Sequence, residues 1–556
     1  MARRTVTESA TSRIRLHGAS PLLISPANNS EKSTTVSQLR PEARSISVSS
    51  LVMSIPNAAK LVSAFRSRGD DTRGVSLESG TVLESKESHM VMTARRTAAA
   101  RNDWRSLSPR AVGEPAADPV SVTVVIPAHD CQGELDLALA ALAEQSHPKD
   151  LLDIVVVDDR SEPALVLPGD LPVPARVIRV EGGGHGSGHA RDVGARAATG
   201  DVVLFLDADI IADRHHVEAH ARWHELIDDA VVLGFRDFVD VKGVTPSQVR
   251  AAIADGGVAR AVAGRATEPH MWIEQLLDKT DDLVQDREDL WRAVVGASVS
   301  TRRLFYQEMG GFPHFPRRGI VDTEFGYRCF TAGGVVIPER MAYSLHQGQR
   351  SFASRGNEIA RLRAPLIANH IAHPRYRPSV RGRQWAVPYL HVIVPSGMAD
   401  FVTTQRTVDD LLANDFDDLT VGIVGVADNP EWDLFVDYWQ YDGRVRLLLD
   451  APRTGFPSPT TMLVPVGARF GPEAVGRLVT RLRAWTHGLI SVSVTGLESP
   501  VELWATRALS RSLRSSDGNL RDTARNLFGE VWSAGSDFGV GLDAGASDVG
   551  RSGKRR

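Results

Sequence analysis

Apolar residues between positions 119 and 210 form short runs that alternate with segments of helical spacing. The apolar runs predict buried strands at 122–126, 154–157, 177–180 and 202–206. The spacing between them predicts helices at 133–145 and 190–198. Strands that alternate with helices favour an α/β fold with a doubly wound, mostly parallel sheet, and we expect Pro127 to end the first strand. Ligands of such sheets bind beyond the carboxyl ends of the strands, so the polar residues that follow each strand are of most interest.

The same opening pattern returns after an Arg- and Pro-rich segment at 361–384. Residues 390–395 repeat the apolar run and proline of 122–127, and a helix and a second strand are predicted at 408–413 and 419–424. This pattern predicts a smaller, degenerate repeat of the first domain. We expect a disordered arm at 1–118, an α/β catalytic domain at 119–355, a linker at 356–386, a half-domain repeat at 387–515, and a C-terminal helix with a disordered tail at 516–556.

Composition limits the class of protein. The chain has 556 residues, of which 42% are hydrophobic and 24% charged, as is typical of globular domains. Its formal net charge of −4 provides no general basic field, so we expect no nucleic-acid partner. Two cysteines are too few for a disulfide framework or a cysteine-based zinc site. We find no apolar run long enough to span a membrane and no signal-peptide core in the first thirty residues, so we expect a cytoplasmic protein.

Two carboxylates follow the strand predicted at 202–206. Asp207 and Asp209 are separated by one small residue, so both can face the same site. Oxygen ligands in such pairs suit Mg²⁺ or Mn²⁺ held together with substrate phosphates. A solvated turn would explain an isolated Asp-Ala-Asp equally well. The neighbouring motifs decide between the two interpretations.

Six further motifs accompany this pair in a fixed order. They are Pro-Ala-His-Asp at 127–130, Asp-Asp-Arg-Ser at 158–161, Gly-His-Ala-Arg-Asp-Val-Gly at 188–194, Gly-Gly-Phe at 310–312, Asp-Thr-Glu-Phe-Gly-Tyr-Arg at 322–328 and His-Gln-Gly at 346–348. In this order and spacing the set resembles the family 2 glycosyltransferases, which are inverting enzymes with a GT-A fold that use nucleotide sugars. The resemblance covers residues from about 121 to 350. It implies transfer of a sugar from a nucleoside-diphosphate sugar, typically a UDP-sugar, to an acceptor hydroxyl.

The resemblance also implies which residues bind the donor. These are Pro127, Ala128, His129, Asp158, Asp159, Arg191 and Asp207. Residues 127–129 would form a nucleotide-binding loop, and Asp158 would accept a hydrogen bond from the base. Arg191 would lie against the phosphates, and Asp207 would face the ribose.

The remaining implied roles concern the metal and the acceptor. Asp209 and His346 would hold Mn²⁺ or Mg²⁺, the cofactor of the family. Asp322 matches the catalytic base, and Glu324, two residues further on, is the second residue expected to be catalytic. The segments 296–300 and 310–312 resemble the acceptor side of the site. The other interpretation of Asp322 and Glu324 is an acidic helix start. The other interpretation of His346 is an ordinary surface or core histidine.

The chemistry agrees with these roles. A carbohydrate hydroxyl is a poor nucleophile, so a carboxylate such as Asp322 must take its proton as it attacks the anomeric carbon. The departing nucleoside diphosphate develops negative charge, which a divalent cation and Arg191 would stabilise.

Three features depart from the family pattern. Val321 stands where the family has Glu before the base, Asp192 stands where Asn is usual, and 181–187 is unusually rich in glycine. His189 breaks the G-x-G-x-x-G spacing, so the glycine run predicts a flexible loop near the diphosphate rather than a dinucleotide site. None of these changes removes the metal carboxylates or the base, so we expect an active enzyme.

Three clusters lie outside these motifs. His216, His220 and His224 have helical spacing, but the H-E-x-x-H zinc pattern is absent, so we predict a solvated or packing helix face. The acidic stretch 278–289 predicts a solvated flank, or else a lip for a cationic acceptor. The Arg-rich segment 361–383 predicts a tether, or else a site for an anionic acceptor or a lipid headgroup.

The sequence thus favours an inverting, metal-dependent glycosyltransferase. The alternatives are a nucleotidyltransferase, which would release pyrophosphate, and a non-catalytic sugar-nucleotide-binding or scaffold protein. The acceptor is unknown and could be a glycan, a lipid, a peptide or a small metabolite, and a homo-oligomer stays open. In the repeat, residues 462–469 contain no carboxylate, so we expect this part to bind no metal and to shape the acceptor site or a dimer contact.

Overall fold

The computed structural model of the chain describes residues 99–182, 186–315, 320–348, 356–378, 380–425, 428–484, 486–514 and 519–542, without the side chains of 356–359. These residues lie within one compact unit, Met90–Arg556. Within the described residues this unit contains a nine-stranded sheet, a seven-stranded sheet and a two-stranded sheet. The predicted arm up to residue 98 and the predicted tail from residue 543 lie outside the described residues.

The first large sheet is built by residues 122–347. Its strands are β1 (Val122–Ala128), β2 (Leu152–Asp158), β3 (Ala175–Arg179), β4 (Val202–Leu206), β5 (Ile210–Ala212), β6 (Ala230–Val239), β7 (Thr267–Pro269), β8 (Ser298–Arg302) and β9 (Val335–Gln347). The helices of this part are α1 (Gln132–Leu142), α2 (Ser187–Ala197), α3 (His216–His224), α4 (Pro246–Ala254), α5 (Met271–Lys279), α6 (Arg303–Glu308) and α7 (Val321–Thr331). Short 3₁₀ turns cover Trp104–Ser106, Lys149–Leu151, Val258–Val262 and Leu290–Ala293.

The strand order is β3-β2-β1-β4-β8-β6-β9-β5, with β7 paired to β6. Strands β3, β2, β1 and β4 are parallel, and they are the four strands that the apolar runs predict. Residues 122–126 are completely buried between two helical layers. The expected stop at Pro127 is wrong, because β1 continues through Pro127 to Ala128. Strand β4 pairs only with residues 122–125, so the missing N–H of Pro127 lies beyond that ladder. The predicted α/β sheet is confirmed.

The second part begins after helix α8 (Gly356–His370). Its strands are β10 (Leu390–Pro395), β11 (Leu419–Val424), β12 (Val445–Leu448), β13 (Thr460–Leu463), β14 (Ala468–Phe470), β15 (Leu489–Ser493), β16 (Val501–Ala505), β17 (Glu530–Ala534) and β18 (Val540–Leu542). Its helices are α9 (Phe401–Leu412), α10 (Trp432–Trp439), α11 (Ala474–Arg483), α12 (Thr506–Arg514), α13 (Leu520–Phe528) and α14 (Gly535–Phe538).

The second sheet repeats the topology of the first. Its order is β12-β11-β10-β13-β16-β15-β17, which matches β3-β2-β1-β4-β8-β6-β9 strand for strand. The directions also match: β16 is antiparallel to β13 as β8 is to β4, and β17 is parallel to β15 as β9 is to β6. The antiparallel pair β14–β18 corresponds to β5 and the end of β9. The predicted repeat is therefore confirmed, and it includes every principal strand of the first copy.

Two expected boundaries differ from the structure in this region. The repeat does not end at residue 515, because α13, β17, α14 and β18 continue its topology to Leu542. The segment expected to be only a linker contains the fifteen-residue helix α8, which includes Pro365. Sequence periodicity fails in both places because the elements are short or contain a residue that normally interrupts a helix.

The chain is also ordered earlier than Pro119. Asn102 is completely buried, and its amide nitrogen donates to the carbonyl oxygens of Leu283 and Val336. Further along, the carboxylate of Glu218 accepts hydrogen bonds from the Arg110 guanidinium and the Gly113 amide. Burial alone would raise the pKa of Glu218, but these bonds and one from Ser146 lower it to about 2. The last twenty residues of the expected arm therefore belong to the folded unit.

Arg511 of α12 connects the second copy to the first. Its guanidinium is buried and donates to the carbonyl oxygen of Gly333, and also to those of Ala99 and Arg101 in the N-terminal segment. Burial lowers the pKa of Arg511 to about 9, which still leaves it charged at neutral pH. Since two separate segments outside the second copy accept hydrogen bonds from one buried cation of that copy, the two sheets form a single structural unit. No helix in the described part of the chain has the length and apolar character needed to cross a bilayer.

The three histidines of α3 are buried against β8. His216 Nδ1 lies 2.9 Å from the carbonyl oxygen of Tyr343, and a carbonyl only accepts, so Nδ1 carries the proton and Nε2 accepts from Ser298 Oγ at 2.9 Å. Ser298 Oγ has then used its proton and accepts from His220 Nε2 at 3.0 Å. This arrangement fixes the tautomers of two neutral imidazoles.

The chain of hydrogen bonds continues to His224 at the end of α3. His220 Nδ1 accepts from Ser300 Oγ at 2.9 Å, and Ser300 Oγ accepts from His224 Nε2 at 2.8 Å. Burial lowers the pKa of His216 to about 4 and that of His220 well below its ordinary value. The histidine face is thus a packing face that joins α3 to β8.

We predict that this histidine chain makes the fold sensitive to acid. The unfolded chain takes up protons on His216 and His220 below their ordinary pKa near 6.5, whereas the folded chain does not. The free energy of unfolding should therefore fall as pH falls from about 6.5 to about 4.5, by about 1.4 kcal/mol per pH unit for each excluded proton. Denaturant unfolding at several pH values measures this slope. His220→Gln should reduce the slope by about one proton, and His129→Gln, at an exposed histidine, should not. An unfolding free energy independent of pH in this range would contradict the interpretation.

Candidate active site

The carboxyl ends of β1, β2 and β4 bring most of the predicted site residues to one edge of the first sheet. Residues 127–128 end β1, Asp158 ends β2, and Asp207 follows β4. The backbone N–H of Asp207 donates to the carbonyl oxygen of Ala297, so the segment before β8 lies against the same edge. The position agrees with the rule that ligands of parallel sheets bind at this end of the strands.

Arg191 is the centre of the site. It lies on α2, is almost completely buried, and donates from Nη2 to Asp207 Oδ1 at 2.5 Å and from Nη1 to Asp322 Oδ1 at 3.1 Å. Burial alone would lower the pKa of Arg191, but the two carboxylates outweigh it and raise the pKa. Arg191 therefore stays charged and joins the strand side of the site to the start of α7. Each carboxylate keeps about a third of its surface exposed to the open site.

The contact depends on a glycine. A Cβ atom at Gly296 would lie 2.5 Å from Asp322 Oδ1 and 2.6 Å from Arg191 Cζ, which is too close for any side chain. On another side, the ring of Phe312 lies 5.2 Å from the Arg191 Cζ atom and covers it. The sequence motifs containing these two residues, expected on the acceptor side, thus contact the ion pair directly.

Asp209 and His346 form the candidate metal centre. Their positions follow from the pairing of β5 with β9, in which Ile210 is opposite His346. Asp209 Oδ2 lies 3.3 Å from His346 Nε2, and Asp209 Oδ1 is buried without a hydrogen-bond partner. Burial and the charge of Asp207 raise the pKa of Asp209 to about 7, and burial lowers the pKa of His346.

This geometry fits a divalent cation. A carboxyl oxygen without a partner is a ligand for Mn²⁺ or Mg²⁺, and the neutral imidazole nitrogen beside it favours Mn²⁺ over Mg²⁺. A cation would also remove the cost of burying the carboxylate. Within the described residues no group of three His, Cys, Asp or Glu side chains converges to hold a metal. Further ligands would therefore have to come from a bound diphosphate and water, which is the common arrangement for such cations.

The structure separates the two acids of the helix start. Asp322 faces Arg191, whereas Glu324 is buried and accepts from Arg328 Nε at 2.6 Å and Nη2 at 2.8 Å. Arg328 also donates to the carbonyl oxygen of Gly311, so this second ion pair supports the Gly-Gly-Phe loop. We therefore assign Glu324 a structural role instead of the catalytic one expected from the sequence.

The expected nucleotide loop is organised by its own carboxylates. Asp158 is buried, and its oxygens accept from the Ser161 amide at 2.8 Å and from Arg179 at 2.8 Å. Although burial would raise the pKa of Asp158, hydrogen bonds from Ser161 and the charge of Arg179 lower it. His129 is exposed and contacts the carbonyl oxygen of Asp159. Since both oxygens of Asp158 already have partners, its contact with the base stays a prediction.

One departure from the family pattern has a structural explanation that the sequence did not reveal. The carboxylate of Asp192 is buried and accepts from Tyr306 Oη at 3.1 Å and from His314 Nε2 at 3.0 Å. Tyr306 Oη in turn accepts from the Phe312 amide at 2.9 Å. Asp192 thus holds the loop whose phenylalanine covers Arg191, and nothing in local sequence spacing identifies partners more than a hundred positions away.

Val321 also has a visible role. Its side chain fills the space above Gly188 of α2, where an added Cβ would lie 2.8 Å from Val321 Cγ1. The family's glutamate is therefore replaced by an apolar contact between α2 and α7. This contact fixes the relative positions of the helices that carry Arg191 and Asp322.

Comparisons with known proteins match part of the chain to an enzyme family. Residues 123–289 match the family model described as Glycosyl transferase family 2. A chondroitin synthase of Pasteurella multocida (strain Pm70) is 26% identical over 358 residues, which cover 59% of this chain and 35% of the relative. A hyaluronan synthase of Pasteurella multocida is 25% identical over 346 residues, which cover 57% of this chain and 34% of the relative. The chain spans about a third of the length of these curated relatives.

A solved structure is also similar in part. The structure of S. aureus TarS 1-349 in complex with UDP-GlcNAc has 18% sequence identity and a TM-score of 0.30, with 46% of this chain and 68% of that chain covered.

We predict that Asp209→Asn weakens Mn²⁺-dependent binding of UDP by at least about tenfold, because the amide lacks the charge that would hold the cation. Calorimetry of UDP binding with and without Mn²⁺ measures the effect. Asp240→Asn, at an exposed carboxylate after β6, is the matched control and should bind like the wild type. Equal affinity for UDP with and without Mn²⁺ in the wild type would show that Asp209 and His346 do not hold a metal.

Proposed function

Residues 123–289 belong to glycosyl transferase family 2, and from this premise we propose that the chain is an inverting, metal-dependent transferase that moves a sugar from a nucleoside-diphosphate sugar to an acceptor hydroxyl. A UDP-sugar is the proposed donor. The observation that carries the proposal is that Arg191 joins Asp322 to Asp207, two residues before the candidate metal ligand Asp209. A proton acceptor and a site for a diphosphate are thus held on one structural unit.

Asp322 is the proposed base. Arg191 holds its Oδ1 atom, and a third of the side chain is exposed, so we assign Oδ2 as the atom that takes the acceptor proton. As that proton leaves, the acceptor oxygen forms a bond to the anomeric carbon, and the bond from this carbon to the diphosphate oxygen breaks. Attack from the side opposite the leaving group inverts the anomeric centre.

Asp209 and His346 would hold the divalent cation, which neutralises charge on the departing diphosphate when bound. Arg191 has a separate role, because its two ion pairs fix the distance between the base and the donor side. Its positive charge faces the carboxylate of Asp322 that is proposed as the base. Positioning of this kind accounts for much of the rate that an enzyme gains over solution.

We propose that the second copy performs no transfer and binds no metal. Because Ile210 and Ala468 both begin the strand after the metal loop, Asp209 corresponds to Gly467, and His346 corresponds to Leu542, the residue opposite Ala468.

The second copy also lacks equivalents of Asp322 and Arg191. The second residue of α7 is Asp322, and that of α13 is Arg521. Residues 449–459, all described, form no helix, so the second copy has no counterpart of α2 and its Arg191. We propose instead that the second copy stabilises the catalytic sheet through the buried contacts of Arg511. We also propose that it shapes the acceptor site.

We predict that Asp322→Asn lowers turnover by roughly 10²–10⁴-fold but leaves UDP affinity within a few-fold, because the base acts on the acceptor proton and Asp207 still pairs with Arg191 in the variant. Release of UDP from a donor panel measures turnover. Glu324→Gln is the comparison: it should lower thermal stability through loss of the Arg328 ion pair while the folded protein keeps most of its turnover. A larger loss of turnover from Glu324→Gln would show that the wrong acid is assigned. The anomeric configuration of the product, read by NMR, tests inversion independently.

We predict that each chain binds one UDP in the presence of Mn²⁺. Calorimetric stoichiometry measures this number, and Asp209→Asn should remove the metal-dependent component entirely because the second copy offers no carboxylate at the equivalent position. Two metal-dependent sites per chain, or one that survives Asp209→Asn, would contradict the assignment of the second copy.

A further inference from the structure

Helix α7 connects the proposed reaction centre with the second copy. Asp322, the proposed base, is the second residue of this helix, and the last residue is Thr331. Eleven residues of α-helix extend over about 16 Å, so the two ends of α7 lie in different surroundings. The first end faces the donor side of the site, and the other end lies against the second copy.

The arginines of α12 hold the far end of α7. Arg507, Arg511 and Arg514 have the spacing i, i+4 and i+7, so they share one face of α12. Arg511 donates from Nε to the carbonyl oxygen of Gly333 at 2.8 Å, and Arg514 donates to that of Ala332. Carbonyl groups at the end of a helix lack partners within the helix and carry the negative end of its dipole. The arginine face of α12 supplies these carbonyl groups with both donors and positive charge.

Two side chains of α7 also contact the second copy. Tyr327 is buried, and its Oη donates to the carbonyl oxygen of Pro457 at 2.8 Å. The ring centroid of Phe330 lies 4.0 Å from Cζ of Arg507. The second copy therefore contacts α7 both along its side and at its end, and these contacts oppose a shift of the helix in either direction.

A shift of α7 would move the base but not the donor site. None of the proposed donor residues lies on α7, because they follow β1, β2 and β4 or, like Arg191, lie on α2. Arg191 holds Asp322 through a single hydrogen bond of 3.1 Å, so the remaining constraint on the base comes from the helix itself. Misplacement of a reacting group by about 1 Å can cost about 100-fold in rate.

We propose that the second copy positions the catalytic base, because its contacts with α7 set where Asp322 stands relative to a bound donor. Tyr327 and Arg514 are then positioning residues, since they act on the reaction through Asp322. The inference rests on the proposed function, in which Asp322 is the base. It gives the second copy an effect on turnover that is separate from its effect on stability.

The first test is Tyr327→Phe in the full chain with Mn²⁺. The change removes the bond to Pro457 and keeps the buried ring. We expect kcat, measured as UDP release from the donor that the wild type uses, to fall at least about fivefold, with the Kd of UDP within about twofold. Tyr438→Phe is the matched control, because the hydroxyl of Tyr438 donates to Asp409 within the second copy. It should leave both values unchanged.

A double-mutant cycle with Asp322→Asn separates positioning from a general loss of structure. If Tyr327 acts through the base, Tyr327→Phe should change the residual turnover of Asp322→Asn by less than about twofold, because no carboxylate is left to position. Arg514→Gln removes the contact with Ala332 and should behave like Tyr327→Phe in both backgrounds.

Three results would overturn the proposal while leaving the proposed function intact. Wild-type turnover in Tyr327→Phe and Arg514→Gln would show that these contacts do not set the position of the base. An equal fold-loss with and without the Asp322→Asn change would make the second copy a structural support only. A loss of UDP affinity that matches the loss of turnover would show that α7 shapes the donor site.

One further result would reject the proposed function as well. If Asp322→Asn alone keeps the turnover of the wild type, Asp322 is not the base, and α7 has no base to position.

Discussion

The arrangement of the site depends on one buried cation held between two carboxylates. Arg191 has almost no contact with solvent, so it is stable as a cation only because Asp207 and Asp322 both bond to it. Removal of either carboxylate would leave a poorly compensated charge in the interior. The end of β4 and the start of α7 are therefore held at a fixed distance, although 115 positions separate these two residues in sequence.

Much of the surrounding structure serves that contact. Gly296 leaves the space that the guanidinium needs, and Phe312 covers its face. Asp192 and Arg328 in turn hold the loop that carries this phenylalanine. These supports lie on α2, on α7 and on the loops between them, which explains why the departures from the family pattern at Asp192 and Val321 do not disrupt the geometry. Residues that hold a site in place can change as long as the space they fill stays the same.

The two sheets share a topology but differ in the side chains at the equivalent positions. Both copies have the same strand order and directions, so the backbone of the second could support the same site. It carries Gly467 and Leu542 where the first has Asp209 and His346, and it lacks the helix that would carry an arginine. The fold therefore provides the positions, and a few side chains in those positions provide the chemistry.

The features that depend on local sequence pattern could be predicted from the sequence alone. The apolar runs located β1, β2, β3 and β4, and the carboxylates that follow them do meet at one edge, because strand burial and side-chain alternation are local properties. The later strands of the second copy were missed because they are short and interrupted by helices. The partners of Asp192 were missed because pairing over long sequence separations leaves no local signal.

The role of Glu324, in contrast, could have been predicted from local sequence spacing. The pair Glu324 and Arg328 has the i, i+4 spacing of a helical ion pair, so its structural role was visible in the sequence. The family resemblance favoured catalysis for this residue because it stands near the expected base. Nearness in sequence to a catalytic residue does not place a helical side chain in the same site, because neighbouring positions on a helix face different directions.

We propose that one of the two topologically equivalent sites, that of Asp209 and His346, holds a cation together with a nucleoside diphosphate. Anomalous diffraction from crystals of the full chain grown with Mn²⁺ and UDP tests it directly. We expect one anomalous peak per chain, within about 2.5 Å of Asp209 and His346, with the diphosphate beside it. A peak at Gly467, or UDP bound at the first sheet with no peak at Asp209 and His346, would contradict it.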